Sequence, residues 1–271
     1  MTLEMHVVDA FVDGPFSGNP AAVVLVGQDD LDAAWMQQVA MQNNLSETAF
    51  VRRQPDGRYS IRWFSPSTEI DFCGHATLAS AHVLFASGAV SKSVVFTAAA
   101  VGEVEVHCTG EACYEMRFPV RAPAPVEAVP PALRQGLSIE PVAVLRNVQA
   151  YFAVYNTEQE VRAVVPNLEA LAQLAPFDVV VTAPGVTQDF VSRYFWPAHG
   201  GAEDPVTGSI HAGLAPYWAG RLGKHQLSAY QASARGGWLA CRVTDDAVFV
   251  SGRARTFLTG HIHAIGYTGQ P

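Results

Sequence analysis

The chain contains the same short motif twice, and this duplication constrains its fold more than any other feature. The pentapeptide at 62–66, Arg-Trp-Phe-Ser-Pro, returns at 193–197 as Arg-Tyr-Phe-Trp-Pro, an offset of 131 residues (193 − 62). After a slip of three residues, Cys-Gly-His at 73–75 corresponds to Thr-Gly-Ser at 207–209, an offset of 134 (207 − 73). Self-similarity at a nearly constant spacing predicts two copies of one domain.

The two copies divide the chain near its middle. We predict an N-terminal domain over 1–119 and a C-terminal domain over 120–271, and leave open that the last strand returns to the first domain. The stretch 119–131 carries five prolines, at positions 119, 123, 125, 130 and 131. Proline restricts the backbone to extended conformations, so this stretch is expected to be a semi-stiff linker.

Each copy is predicted to fold as short strands around one apolar helix. In the first copy, 47–51 and 59–64 form a hairpin, and 75–86 has almost no polar face, which is typical of a buried helix. In the second copy, a strand over 190–195 precedes a small-residue helix over 209–219. This order predicts an α+β fold of two domains, each a curled mixed sheet around a central buried helix.

Composition favours a soluble protein of enzyme size. Of its 271 residues 49% are hydrophobic and 15% charged, which suffices for two buried cores. The net charge of −8, without a Lys/Arg-rich run, argues against a nucleic-acid partner. No apolar run approaches the roughly 20 residues of a membrane helix, so no membrane partner is expected. The first residues lack a signal-peptide pattern, and the four cysteines lack metal-finger spacing, which together predict a cytoplasmic location.

Each copy places a glycine at the expected start of its helix, Gly74 before His75 and Gly208 before Ser209. Unpaired amides at a helix start attract anions, and glycine lets a ligand approach the backbone closely. We expect the two helix starts to face each other across a cleft and to hold a small anionic substrate. The alternative is that both glycines serve only tight packing.

Three polar residues are candidates for chemistry. Glu47 opens a predicted strand among small and apolar neighbours, where a carboxylate can take and return a proton near neutral pH. The alternative is a surface glutamate beside a local turn. Asp204 precedes Pro205 in the loop before the second helix and is either a capping group or a substrate ligand. His75 is either a structural histidine or a polar contact to the substrate.

Four ordered motifs resemble the PhzF-like family, named for the phenazine-biosynthesis isomerase, which shares its fold with diaminopimelate epimerase. The motifs are Asp-Ala-Phe through Gly-Asn-Pro-Ala-Ala-Val (9–23), Ser-Glu-Thr-Ala-Phe (46–50), Cys-Gly-His-Ala-Thr (73–77) and Glu-Asp-Pro-Val-Thr-Gly-Ser (203–209). The resemblance runs nearly end to end. It implies an active site between two similar barrel-like halves, in which a glutamate moves a proton within a cyclohexadiene amino acid without metal or organic cofactor. It also implies a homodimer.

The resemblance also implies which residues act. Glu47 is then the catalytic acid/base, with catalytic roles for His75 and Asp204. The predicted substrate-binding residues are Gly74, Gly208, Ser209, Asn19 and Thr207.

Members of the epimerase branch use two cysteines, one at each helix start, as paired acid and base. This chain has Cys73 at the first position and Thr207 at the second. A threonine hydroxyl is far too weak an acid to replace a thiol, so the two-thiol mechanism is not available, and Cys73 is expected to be a small buried filler. The leading hypothesis is a cofactor-independent isomerase of the trans-2,3-dihydro-3-hydroxyanthranilate isomerase type. The alternatives are an amino-acid epimerase-type enzyme and a non-catalytic protein that binds a small anion.

Overall fold

The structure, a computed structural model, describes residues 2–27 and 31–263, and the chain packs as two compact units. Residues 2–10, 20–27, 31–116 and 253–263 form the described part of the first unit, and 11–19 and 117–252 form the second. The end of the last strand thus belongs to the first unit. The segment 11–19 packs with the second unit because the buried ring of Phe11 lies against Gly208 and Gly252, where an added Cβ would come within 3.0 and 2.2 Å of it.

The elements follow one another along the chain with short connections. The first part contains β1 (Thr2–Ala10), β2 (Asn19–Val26), α1 (Ala33–Asn43), β3 (Glu47–Arg53), β4 (Tyr59–Phe64), β5 (Glu69–Ile70), α2 (Gly74–Ala86), β6 (Ser93–Ala98), β7 (Gly102–Gly110) and β8 (Cys113–Pro119). The second part contains β9 (Ala124–Pro125), α3 (Pro131–Gly136), β10 (Ala143–Arg146), β11 (Ala150–Val154), α4 (Glu158–Ala163), α5 (Leu168–Ala172), β12 (Asp178–Pro184), β13 (Phe190–Phe195), a 3₁₀ turn (Pro197–His199), β14 (Glu203–Asp204), α6 (His211–Leu222), β15 (Gln226–Gln231), β16 (Gly237–Val243) and β17 (Ala247–His263).

In the first unit a mixed sheet closes around α2. β2 and β3 pair in parallel, β3 and β4 antiparallel, β4 and β6 in parallel, and β6, β7 and β8 antiparallel. β17 pairs with both β8 and β1, and β1 pairs with β2, which makes the sheet barrel-like. Every residue of α2 from Gly74 to Leu84 is buried, as its lack of a polar face predicts. Gly88, with φ of 74°, ends the helix in a left-handed conformation that favours glycine.

The second unit repeats this order of pairings. β11 and β12 are parallel, β12 and β13 antiparallel, β13 and β15 parallel, and β15 and β16 antiparallel. The central helix is α6, whose Trp218 indole N–H donates to the buried Thr182 hydroxyl on β12 at 2.9 Å. None of the helices within 2–27 and 31–263 has the length and apolarity of a membrane span.

Two sequence expectations for the second unit are wrong in detail. The helix begins at His211 and not at Ser209. The backbone N–H groups of His211 and Ala212 donate to the carbonyls of Gly208 and Ser209, three residues earlier, and this tight turn precedes the helix. The proline-rich stretch 119–131 is not a free spacer, because Ala124 and Pro125 pair with β10.

The repeated pentapeptide has the same structural role in both units. Arg62 on β4 and Arg193 on β13 each lie over a phenylalanine two residues later. Both guanidinium groups make two parallel hydrogen bonds to a glutamate on the next short strand, Arg62 to Glu69 and Arg193 to Glu203. In each unit the arginine therefore fixes the strand that leads into the loop before the central helix.

Candidate active site

The first group of functional side chains joins the start of β3 to the start of α2. α1 ends at Asn43. The next residue, Asn44, has a left-handed backbone (φ 51°) that redirects the chain, so that Glu47 begins β3, paired in parallel with Ala21 on β2. The buried Glu47 Oε2 lies 3.0 Å from Nε2 of the buried His75. The other ring nitrogen of His75, Nδ1, lies 3.4 Å from the sulfur of Cys73, the residue before α2.

Burial and neighbouring charge set the protonation states of this group. Burial, followed by the carboxylate of Glu47, raises the pKa of the Cys73 thiol to about 11, so Cys73 is a neutral thiol at physiological pH. Burial lowers the pKa of His75, but Cys73 and Glu47 raise it, and the balance places the pKa well above the ordinary 6.5. Because the thiol is neutral, Glu47 is the neighbour whose charge favours the imidazolium. The group is therefore an imidazolium that faces Glu47 on one side and an unreactive thiol on the other.

The same three residues offer donor atoms of the kind that bind metals. One donor atom from each of Glu47, Cys73 and His75 lies within 4.8 Å of the other two. However, Cys73 and Glu47 approach opposite nitrogens of the imidazole ring. Sγ of Cys73 lies 4.0 Å from Nε2 as well, so donor atoms of all three residues converge on that nitrogen. The group is therefore both a candidate pair for proton transfer and a candidate set of metal ligands.

A second group of side chains surrounds the carboxylate of Asp204 in the second unit. One oxygen, Oδ1, accepts from the side-chain amide of the buried Asn19 at 2.7 Å, and the other accepts from the Thr207 hydroxyl. Gln231 ties the loop together, since its amide donates to the Asp204 carbonyl at 2.8 Å and accepts from the Thr207 amide at 2.9 Å. Asn19 and Thr207 each donate to one oxygen of Asp204, so the carboxylate is held in place as a hydrogen-bond acceptor.

The residues that follow Asp204 have different functions. The Thr207 hydroxyl is committed to Asp204, which agrees with its exclusion as a catalytic acid. An added Cβ on the buried Gly208 would meet the Phe11 ring at 3.0 Å, so at this position tight packing accounts for the glycine. Ser209 is partly exposed, and its Oγ accepts from the side-chain amide of Gln149 at 3.0 Å.

A chain of hydrogen bonds continues from Ser209 through residues that the sequence analysis did not identify. Gln149 also donates to the Tyr194 hydroxyl at 3.1 Å, and Tyr194 donates to Asp178 at 2.6 Å. Nδ1 of the half-exposed His199 lies 3.0 Å from the other oxygen of Asp178. Tyr194 could have been found, because it occupies the place of Trp63 in the repeated pentapeptide and is the polar member of that pair. Gln149 and Asp178 lie in no motif.

His211, in the first turn of α6, is a further buried polar residue near this loop. Its Nδ1 lies 2.9 Å from the Thr207 carbonyl, so this nitrogen carries the proton and donates. Burial lowers the pKa of His211 to about 4, and the ring is neutral at physiological pH. His211 therefore fixes the backbone of the loop without adding a charge to it.

The chain is similar to known proteins over nearly its whole length. Residues 8–260 match the model of the phenazine biosynthesis-like protein family. An uncharacterised isomerase of Halalkalibacterium halodurans is 42% identical over 275 residues, covering 97% of this chain and 99% of the relative. A crystal structure of a PhzF-family phenazine biosynthesis protein from Enterococcus faecalis superposes with a TM-score of 0.91 at 40% identity, covering 97% of this chain and 100% of that one.

A more distant likeness extends to the racemases. A probable proline racemase from Agrobacterium radiobacter is 10% identical with a TM-score of 0.67, covering 98% of this chain and 94% of that one, which shows a shared fold alone. These comparisons confirm the fold of two barrel-like halves and the resemblance that the four motifs indicated.

Proposed function

Since the chain belongs to the phenazine biosynthesis-like (PhzF) family, we propose that it is a cofactor-independent isomerase whose Glu47 moves a proton within a small carboxylate-bearing substrate. The observation that carries the proposal is the buried pair of Glu47 Oε2 and His75 Nε2, 3.0 Å apart. Burial of a carboxylate is unfavourable unless it is paired, so a glutamate kept there beside an imidazolium indicates a chemical role.

The proposed reaction balances without a cofactor. The Glu47 carboxylate removes a proton from a saturated carbon, and the electron pair left behind shifts a neighbouring double bond by one position. The Glu47 carboxylic acid then returns the proton to the carbon at the far end of the shifted bond, on the same face of the substrate. His75 holds the carboxylate in place through Nε2 and stabilises the negative charge that alternates between Glu47 and the substrate.

We assign the Asp204 group to binding of the same substrate. Asp204, held by Asn19 and Thr207, accepts a hydrogen bond from an amino or hydroxyl group, and Ser209 contacts the substrate carboxylate. Gly74, at the start of α2, leaves backbone amides available near His75. A cyclohexadiene amino acid such as trans-2,3-dihydro-3-hydroxyanthranilate carries all three functional groups. We extend the proposal to a cytoplasmic location, since the four cysteines are free thiols, as a reducing compartment favours. The homodimer that the family resemblance implies is part of the same proposal.

The epimerase alternative is less well supported. A two-base epimerisation needs a group on each side of the reacting carbon. The thiol pKa of about 11 makes Cys73 a poor base, and Thr207 uses its proton for Asp204. A single carboxylate that serves both steps on one face has no such requirement.

Proton NMR in deuterium oxide distinguishes the three functions. The protein is incubated with trans-2,3-dihydro-3-hydroxyanthranilate, and the position of the double bond and the deuterium content of the ligand are followed together. The isomerase predicts a ring with a shifted double bond, with deuterium at the newly saturated carbon only to the extent that the Glu47 carboxylic acid exchanges its proton with solvent before returning it. An epimerase predicts deuterium at the stereocentre with inverted configuration and an unshifted double bond. Binding detected by thermal shift with neither a shifted double bond nor deuterium uptake would contradict the proposal and leave the protein a binder of small anions.

A further inference from the structure

The Tyr194 hydroxyl donates its one proton to the carboxylate of Asp178. This hydroxyl lies 2.6 Å from Asp178 Oδ2, and the second oxygen of Asp178 faces His199 Nδ1 at 3.0 Å. Burial, followed by the charge of Asp178, raises the pKa of Tyr194 well above 10, so the phenol stays protonated. A phenol has one proton, and a carboxylate only accepts, so Tyr194 donates to Asp178 and can only accept from any other neighbour.

This assignment fixes the side-chain amide of Gln149. The group that faces the Tyr194 hydroxyl at 3.1 Å must be a donor, because two acceptors cannot share a hydrogen bond. It is therefore the NH₂ and not the oxygen of the amide. The backbone of Gln149 is held as well, since its N–H donates to the Asn147 side chain at 2.8 Å and its carbonyl accepts from the Asp178 amide at 3.2 Å.

The same NH₂ group determines the orientation of the Ser209 hydroxyl. The nitrogen of the Gln149 side chain lies 3.0 Å from Ser209 Oγ and has a second proton to give. Ser209 Oγ thus accepts from Gln149, and its own proton must point elsewhere. Among residues 2–27 and 31–263, no acceptor takes that proton, and Ser209 is partly exposed. Ser209 is thereby a donor available to a ligand.

We infer that Asp178, Tyr194 and Gln149 are specificity-determining positioning residues, which set Ser209 as a hydrogen-bond donor and so select a substrate that presents a carboxylate there. The inference rests on the proposed function in taking Ser209 as a substrate contact. A carboxylate carries only acceptors, and a hydrogen bond to a charged acceptor is roughly twice as strong as a neutral one. A carboxamide at the same place presents a neutral carbonyl acceptor and forms only the weaker bond with the Ser209 proton.

The test uses two matched ring probes, 2-aminobenzoate and its uncharged twin 2-aminobenzamide, whose binding is measured by fluorescence titration. The wild-type protein is expected to bind the carboxylate roughly 10-fold more tightly than the amide. Tyr194→Phe removes the acceptor that orients Gln149, so its amide can turn and take the Ser209 proton. We expect the affinity for 2-aminobenzoate to fall roughly 5- to 20-fold and that for 2-aminobenzamide to change less than about 2-fold.

Coupling to Ser209 separates positioning from a general structural effect. In a Ser209→Ala background, Tyr194→Phe should cost less than about 2-fold in affinity for 2-aminobenzoate, because the donor it orients is gone. Gln149→Glu provides a second variant that leaves Tyr194 in place. A glutamate at 149 only accepts, so Ser209 donates to it, and the preference should turn towards 2-aminobenzamide.

Several results would overturn the inference. These are equal losses for both probes in Tyr194→Phe, an undiminished loss in the Ser209→Ala background, and a wild-type protein without preference for 2-aminobenzoate. Titration involves no proton transfer, so its outcome is independent of the NMR experiment. A selective loss of affinity together with no double-bond shift by the wild type would uphold the positioning residues and reject the isomerase. A double-bond shift together with an unchanged preference between the two probes would uphold the isomerase and reject the positioning residues.

Discussion

At the scale of single residues, the central feature is the buried charge of Glu47. The nearest cationic group is Nε2 of His75, 3.0 Å away, and the pair replaces part of the hydration that each group loses on burial. Cys73 contacts the same imidazole but contributes no charge near neutral pH, because the pKa of its thiol is about 11. The residue that the epimerase branch uses for chemistry therefore serves here as a packing group.

We predict that Cys73→Ala keeps most of the turnover. The buried thiol fills a small space beside His75, so its loss should lower the free energy of unfolding by about 1–2 kcal/mol. The measurements are urea unfolding and the rate of substrate turnover in wild type and variant. A loss of activity as severe as that caused by removing the Glu47 carboxylate would identify a catalytic thiol.

The pH dependence of stability should report the His75 imidazolium. Its folded-state pKa lies well above the 6.5 of the unfolded chain, so folding favours the protonated form. This stabilisation is fully present below a pH of about 6.5 and is lost as the pH rises through the folded-state pKa. The free energy of unfolding of wild type, minus that of His75→Gln, should therefore shrink as the pH rises above about 6.5 towards the folded-state pKa. A difference that stays constant or grows would mean that His75 is neutral in the folded protein.

At the scale of elements, the repeated arginine explains how the strand before each central helix is held. The side chain of Arg193 is 12% exposed and also donates to the carbonyls of Val161 and Val164, at 3.2 and 2.7 Å. Arg62 makes the same fork to its glutamate, but its side chain is 39% exposed. The same arginine–glutamate pair is thus mostly buried in the second copy and partly exposed in the first.

This difference yields a matched pair of variants. Arg193→Lys loses the bidentate geometry and leaves buried carbonyls unpaired, so we expect it to lower the free energy of unfolding by about 2–4 kcal/mol. Arg62→Lys, in a solvated setting, should cost less than about 1 kcal/mol. Urea unfolding at constant m-value measures both. Equal costs would show that burial does not decide the strength of the motif.

The sequence predicts a helix or strand well where a local pattern, such as a turn motif or an apolar segment, determines it. The strand that begins at Glu47 was found because the Pro-Asp-Gly turn at 55–57 marks a hairpin, and the helix that follows Cys73 was found because it has almost no polar face. The start of α6 was misplaced by two residues, because the turn over Gly208 and Ser209 depends on packing against Phe11, more than 190 residues earlier in the chain (208 − 11 = 197). Such a contact between distant segments has no periodic signal in the sequence.

At the scale of the whole molecule, the duplication predicted the architecture, and the chemical differences between the copies indicated the site. Cys73 against Thr207 and Trp63 against Tyr194 are pairs of equivalent positions with different chemistry. The first pair excluded the two-thiol mechanism, and the second marks a residue that only the structure connected to Ser209. Gln149 and Asp178 could not be predicted, since their roles arise from hydrogen bonds across β11, β12 and β13.

The central claim, that one carboxylate carries the proton, is tested most directly by Glu47→Gln. The amide keeps the size of the side chain but cannot take or return a proton. The rate of double-bond migration in the substrate, followed by proton NMR, should fall by roughly 10²- to 10⁴-fold while substrate affinity changes only a few-fold. Cys73→Ala, at the neighbouring buried position, is the matched control and should shift the double bond at nearly the wild-type rate. A near-normal rate of migration with Glu47→Gln would contradict the account.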